Sequence, residues 1–321
     1  MKAVLERKNL IKIADMAGVS LTTASRAFNN HPYVKEATRK KILDAAHKID
    51  YEPRISMGKR NIGVVVESIE FIYEDPYLST IISYIARELS GNSLGFELIP
   101  IKELYKLEEN FINTSIAILY LDESIEKVKR FSKTNFIIIN SVIDGLSCVC
   151  SDHQQGIRLG FNHLKDCGHT QIALLMDHFE GWGSLERKNA FLELLRQNNL
   201  SPVETFLKDS SPEKLREALK EIVVFGITGV IIASEGSTLR VMSEINRQGI
   251  KVPDELSIVS FENISVSQYL YPAHTTVCQD FESIVKNAVD LAGKSINNEL
   301  KNSFKILLDN SLVIRNSVKK I

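Results

Sequence analysis

The sequence predicts a small all-α head carrying a helix-turn-helix, followed by a two-lobed α/β body. Three observations predict it. Residues 10–29, LIKIADMAGVSLTTASRAFN, read as two short amphipathic helices around a Gly-containing turn. Beyond residue 60 the pattern becomes short, continuous apolar runs alternating with helical stretches. Charge divides at the same place. Residues 1–60 hold 13 Lys and Arg against 6 acids, a net of +7, which leaves −8 for the remainder of a chain whose total is −1. A length of 321 residues suits a small head on a bilobed body better than one domain.

In the head, Leu10, Ile13, Ala14 and Ala17 form one apolar stripe. Val19 plugs the turn Gly18-Val19-Ser20, and Ala24 and Phe28 face back inward. Ser20 stands at the N-cap, where its hydroxyl can accept from the first orphan amides of the second helix. Leu21, Thr22, Thr23, Ser25, Arg26 and Asn29 are left pointing outward. In a helix-turn-helix the second helix lies in the major groove. Arg26 could fork onto guanine O6 and N7, worth ~1–3 kcal/mol of discrimination. Leu21 offers apolar contact, for instance to a thymine methyl, while Thr23, Ser25 and Asn29 suit phosphates or sugar edges. The competing reading is two ordinary helices of a small domain. The charge division favours DNA, because a basic head neutralises phosphates and releases counterions while an acidic body does not compete.

The body's apolar runs predict strands at 61–66, 96–101, 116–121, 136–140, 172–176, 229–233, 257–261 and 305–308. Runs apolar on both faces suit parallel strands buried between helices. Helices are predicted at 78–90, 124–132, 156–166, 185–198, 213–225, 238–248 and 283–298. So many strand–helix units exceed one sheet and predict two Rossmann-like lobes meeting at a cleft, with the ligand beyond the carboxyl ends of the strands. The expected division is a head at 1–53, a short basic linker at 54–60 and a body at 61–321. Within the body, the N-lobe takes about 61–164 and 280–308, and the C-lobe about 165–279 and 309–321.

No apolar run approaches a membrane span, and MKAVLERKNLIK has no signal-peptide core, so no membrane partner and a cytoplasmic location are expected. Cys148, Cys150, Cys167 and Cys278 contain no CxxC pair and read as thiols, with Cys148 and Cys150 on one face of a strand. His163, Cys167 and His169 lack a fourth ligand and a metal-site spacing, so no metal is expected.

These parts, in this order, resemble the lactose/galactose-repressor family of bacterial transcription regulators. IADMAGVSLTTASRAFN is similar to the family's signature, and TRKKILDAAHKIDYEP to its third helix with the trailing Tyr-x-Pro. GFNHLKDCGHTQIALL, RKNAF, VPDELSIVSFEN and HTTVCQDF resemble body segments in the family's order, and LVIRNS its usual end. The resemblance implies a repressor that binds palindromic double-stranded operator DNA. It also implies a periplasmic-binding-protein-like type I body, a small sugar effector and no cofactor. Leu21 and Thr22 then take the positions that vary operator preference, and Arg26 the one that reads a G·C pair. Tyr33, Lys35 and Thr38 match positions near the DNA backbone, although Tyr33 and Lys35 could equally be plain surface residues. Lys35 stands where a capping Ser or Thr is usual.

Around the cleft, the resemblance assigns Asp75 and Tyr77 in a DPY segment, and Arg187, whose RxxGF motif has Ala190 in place of Gly. It assigns Ser234 and Glu235, then Glu262 beside Asn263, then Gln279 and Phe281 between the lobes. Trp182, the only Trp, either supplies an aromatic wall or is structural. Relatives follow Tyr-x-Pro with a hinge helix whose Leu wedges into the minor groove. Here only RISMGKRN follows, without that Leu and with Gly58, so little operator bending is expected; Arg54, Lys59 and Arg60 can still track phosphate. Met57 is the one apolar residue left as a wedge near the linker's end. No heptad helix follows the core, so a homodimer is expected, using helices 78–89 and 283–296. VSQYLYP and the short hinge lean toward galactoside-responsive members.

An enzyme is the alternative, with Glu235 and Glu262 as paired carboxylates of a glycosidase. The sequence holds no Gly-rich phosphate loop, GxSxG elbow or metal cluster, and a DNA-binding head would then be idle. A sugar-transport binding protein would need the signal peptide that is not seen.

Overall fold

The computed structural model describes residues 2–28, 33–49, 51, 61–70, 72–73, 75–92, 94–177, 179–261 and 266–321; the side chains of residues 2–7, 47, 204 and 235 are outside that description. The expected linker at 54–60, with Arg54, Met57 and Gly58, therefore lies outside the described residues, as do Asn29 and Glu262.

Three helices form the head: α1 (Lys2–Ala17), α2 (Leu21–Phe28) and α3 (Glu36–Lys48). The first helix begins well before the apolar stripe, because KAVLERKN is rich in good helix formers. It ends at Gly18, whose φ of 66° lets Val19 N–H return to Ala14 C=O at 2.9 Å. The head's buried core is Ile13, Ala14, Ala24, Ala27, Val34, Ile42, Ala45 and Ala46. Five of these eight are alanines, so the helices pack closely around little apolar volume.

The first lobe is built from β1 (Asn61–Val66), α4 (Pro76–Gly91), β2 (Gly95–Pro100), α5 (Tyr105–Glu109), β3 (Thr114–Ile118), α6 (Asp122–Arg130), β4 (Asn135–Ile139) and β5 (Ser147–Ser151). The second takes α7 (His153–Asp166), β6 (Ile172–Met176), α8 (Trp182–Gln197), α9 (Val203–Phe206), β7 (Leu207–Asp209), α10 (Leu215–Val224), β8 (Gly229–Ile232), α11 (Thr238–Arg247), β9 (Ser257–Phe261) and β10 (Thr275–Cys278). The chain then returns through α12 (Phe281–Ile296) and β11 (Lys305–Leu308) to the first sheet, and ends with β12 (Ser311–Val313) in the second.

The sheet orders are β2-β1-β3-β4-β5-β11 and β7-β6-β8-β9-β10-β12. The first sheet's described pairings are all parallel, and in the second only β12 runs antiparallel, against β10. Strand alternation supplies both faces of the first sheet. Ile62, Val64 and Val66 pack with α4 and α12, while Val65 packs on the opposite side with Ile99 and Leu107. Three strands lie outside the expected set, β7, β10 and β12, and β5 is expected only as a strand carrying Cys148 and Cys150, without a range. SCVCS and TTVC are small and polar rather than continuously apolar, and β7 and β12 span only three residues each. Cys148 and Cys150 of β5 are buried thiols.

One expected boundary is corrected. Ile157, Phe161 and Leu164 of α7 pack into the second lobe's core, so the first crossover falls at Asp152 rather than after residue 164. A helical apolar stripe declares that a face is buried, not which sheet receives it. The first and third crossovers meet at Asn310. Its amide nitrogen donates to Asp152 C=O at 2.6 Å, and its amide oxygen accepts from Ser151 Oγ at 2.7 Å. Gln155 pairs with its backbone, accepting from Asn310 N–H at 2.9 Å and donating to its C=O at 3.1 Å.

Gly156 allows α7 to lie on this junction, since a Cβ there would stand 2.5 Å from Phe261 Cε2 and 3.1 Å from Asn310 Nδ2. Gly156→Ala is expected to destabilise the body by about 1–3 kcal/mol through overpacking, read as a lower urea midpoint with an unchanged denaturant slope.

Candidate DNA-reading head and ligand cleft

Ser20 caps α2: Thr23 N–H donates to Ser20 Oγ at 3.1 Å, and the two hydroxyls lie 2.8 Å apart. With Ala24 and Ala27 buried, the opposite face of α2 presents Thr22 and Arg26 to solvent. Leu21, Thr23 and Ser25 are half-buried on its flanks. Lys35 precedes α3 and is exposed; its C=O accepts from Thr38 and Arg39 N–H at 2.9 Å each. Tyr33 is 86% exposed and Thr38 half-buried.

The cleft, about 750 Å³ in volume, lies between the lobes at the carboxyl ends of both sheets. Asp75, Tyr77, Arg187 and Ser234 line it. Asp75 also caps α4, its Oδ1 accepting from Leu78 N–H at 3.0 Å. Sequence reasoning missed several other lining residues, and most follow a strand end. Tyr120 follows β3, Asn140 follows β4 and Asp177 follows β6, while Arg240 faces the cleft from α11. Their signal was positional: they occupy the loops where open α/β sheets bind ligands.

Three expected cleft residues are corrected. Trp182, Gln279 and Phe281 do not line the cleft but stand behind its wall. Phe281 is buried at the start of α12 and backs Tyr77 edge-on, with ring centroids 5.4 Å apart. Gln279 is buried between β10 and α12. Trp182 packs against the His153 ring at 5.5 Å. Glu235 opens a 3₁₀ turn after β8, and its side chain is not described.

Arg187 is held from several sides. Its guanidinium carbon sits 4.4 Å above the Phe261 ring centroid. Its Nη1 donates to Ala233 C=O at 2.6 Å, and its Nε donates to His153 Nδ1 at 3.3 Å. His153 therefore accepts at Nδ1 and carries its proton on Nε2. Burial, and then the charge of Arg187, hold the His153 pKa well below the ordinary histidine value. Elsewhere on the second lobe, Asp177 Oδ2 accepts from Arg240 at 2.7 Å. Glu67 fixes the Tyr120 loop, accepting from the N–H groups of Tyr120 and Leu121 at 2.9 Å each and from the Ser124 hydroxyl. Burial, Asp75 and Glu67 push the Tyr120 pKa up to about 12, so its hydroxyl keeps its proton as a donor.

The lobes approach each other at two rims. Gly181, with φ of 81°, comes so near the first lobe that a Cβ would stand 2.5 Å from the Tyr120 carbonyl oxygen. Gly236 faces Pro76, where a Cβ would stand 3.8 Å from its Cδ. Among the described residues, no helix is long and apolar enough to cross a membrane, and no group of His, Cys, Asp or Glu could hold a metal ion.

A capped reading helix on a basic head, joined to two lobes around a polar cleft, defines a ligand-responsive DNA-binding regulator. Comparison with known proteins agrees. Residues 9–54 match the bacterial regulatory proteins of the lacI family, and residues 161–318 match a periplasmic binding protein-like domain. The HTH-type transcriptional repressor PurR of Vibrio parahaemolyticus is 25% identical, covering 96% of this chain and 98% of its own. A transcriptional regulator CelR–cellobiose complex aligns with a TM-score of 0.72 at 21% identity, covering 96% of this chain and 99% of that one. A lac repressor dimer bound to operator and the anti-inducer ONPF aligns at 0.71 and 22%, covering 96% and 98%. The chain belongs to the lactose/galactose-repressor family and is a DNA-binding transcriptional regulator, not an enzyme.

The neutral state of His153 gives a pH dependence. The unfolded chain takes up this proton near pH ~6.5, before the folded chain can, so folding stability falls as pH drops below that value. His153→Gln keeps an acceptor for Arg187 and is expected to flatten that fall, measured as thermal midpoint between pH 5 and 7.5. His163, His169 and His274 are also held low by burial, so part of the slope remains.

Proposed function

We propose that this regulator represses transcription as a homodimer on a palindromic operator, and that a neutral saccharide in the cleft sets its operator affinity. The cleft lining carries the ligand class. Asp75, Asp177 and Glu180 outnumber Arg187 and Arg240, and Tyr77, Tyr120 and Phe179 stand among them. Both guanidiniums already have acceptors within the protein, so a uronate or phosphosugar would meet carboxylates in excess. Hydroxyl-rich neutral ligands suit such a set: carboxylates accept, Tyr120 donates, and rings cover apolar sugar faces. The volume lies in the upper half of the ~300–1,000 Å³ range of ligand pockets, room for a mono- or disaccharide. The bound cellobiose of the CelR relative supports the same class, and galactosides are the first saccharides to test.

In this reading Asp75, Tyr77, Arg187 and Ser234 touch ligand, Glu235 and Glu262 are further candidate contacts, and Phe281, Trp182 and Gln279 hold the wall from behind. Leu21, Thr22 and Arg26 read bases. Thr23, Ser25, Asn29, Tyr33, Lys35, Thr38 and Arg54 position the backbone. The dimer forms through the body in the cytoplasm. α12 turns Glu282, Lys286, Asp290 and Lys294 to solvent, so the apolar share of the interface falls to α4.

DNA reading is tested by fluorescence anisotropy on a palindrome selected from a random library. Arg26→Ala should lose about 1–3 kcal/mol of discrimination at one base pair per half-site. Lys35→Ala should weaken all sequences alike and reduce the salt slope by about 1. Equal losses on operator and random DNA for Arg26→Ala would remove it from base reading.

A thermal-shift series of neutral saccharides, uronates and phosphosugars tests the cleft. Neutral saccharides should stabilise the protein, and Arg187→Ala should abolish that shift while leaving operator binding intact. Stabilisation by the anionic ligands alone would overturn the assigned class.

A further inference from the structure

Among the described residues, four other than glycine have positive φ: Phe111, Asn140, Asn199 and Asn298. Asparagine tolerates the left-handed region through local hydrogen bonding, whereas a bulky Phe is an outlier there. Phe111, at φ 53°, closes α5. Its N–H donates to Glu108 C=O at 3.1 Å, and Ile112 N–H reaches back to Leu107 C=O at 2.8 Å. That is a Schellman ending, in which this position usually belongs to glycine. Leu107 and Ile112, both buried, supply the accompanying apolar contact inside the lobe.

The Phe111 ring packs with the head's apolar cluster instead. It meets Phe28, the last residue of the reading helix α2, at 5.9 Å between centroids and 72°, edge to face. Phe28 in turn meets Tyr51 at 5.7 Å. The corner lies just before β3 (Thr114–Ile118), at the amino-terminal edge of the first sheet and away from the cleft. Thr22 and Arg26 of the same helix remain exposed beside this contact.

We propose that the Asn110–Ile112 corner of the body is a docking surface for the carboxyl end of its own reading helix, with Phe111 as the peg. The strained backbone is retained because a residue with φ below zero there would not end α5 in this way, and glycine would carry no ring. The head is then tied to the first lobe at a second point besides the linker. Lobe movements reach α2 through a packed side chain as well as through the chain; this consequence rests on the regulator reading above, while the docking does not.

The test uses the full chain without DNA or saccharide, so its failure is separate from a failure of that reading. Phe111→Gly removes the ring and relieves the backbone. Hydrogen exchange is followed over residues 21–51 and over the body, together with tryptic release of the head at Arg54, Lys59 and Arg60. The expected result is an unchanged or higher melting temperature for the body. Exchange in α2 and head release should be faster by up to about tenfold, the upper worth of an edge-to-face aromatic pair. Phe111→Leu, which keeps an apolar peg, should fall between. Unchanged exchange and head release in Phe111→Gly would overturn the docking, as would a lower body melting temperature with no change over residues 21–51.

Discussion

The two sheets are interleaved along the chain, and the geometry of the cleft depends on how the crossovers between them are pinned. Asn310, buried to 6% exposure, spends its side chain on Ser151 and Asp152 and its backbone on Gln155. It thereby welds the first crossover to the third. Removing one partner from such a buried set costs on the order of 1–3 kcal/mol, because the other groups keep their desolvation penalty. The cleft opens on the carboxyl edges of both sheets because parallel strands in each lobe all point toward the junction.

Arg187 shows how the wall inherits this order. It sits on α8 of the second lobe, above Phe261 at the end of β9, and leans on His153 at the first crossover. Gly156, one helical turn further along α7, brings that helix down on the same ring. A side chain that lines the cleft is thus oriented by the residues that join the lobes. This is the arrangement expected where small movements at a site must be felt by the whole body.

Much of this was legible in the sequence for physical reasons. Continuous apolar runs such as NIGVVV, IALLM and SIVSF could only be strands covered on both faces, and they are β1, β6 and β9. Ser20 could be read as a cap because few residue types can fill that position, and it accepts from Thr23. Short polar edge strands such as β12 were not legible, since their stability comes from a neighbour rather than from their own pattern. The lobe that receives α7 was invisible for the same reason. Arg187 was found by resemblance, whereas Tyr120, Asn140 and Asp177 needed strand ends located to the residue. Trp182 and Phe281 were placed one layer too far forward, because a sequence shows that an aromatic is near a site but not which side of the wall it occupies.

The two rims where the lobes meet have a consequence for ligand size. At Gly181 against Tyr120, and at Gly236 beside Pro76, the second lobe presents bare backbone, so the lobes meet there with no side chain of the second lobe to fold away. A ligand short enough to leave both rims seated can meet lining residues of both lobes at once. One too long for the seated rims must hold them apart, and its binding then favours that wider arrangement. Length, as well as polarity, is therefore something this cleft can discriminate.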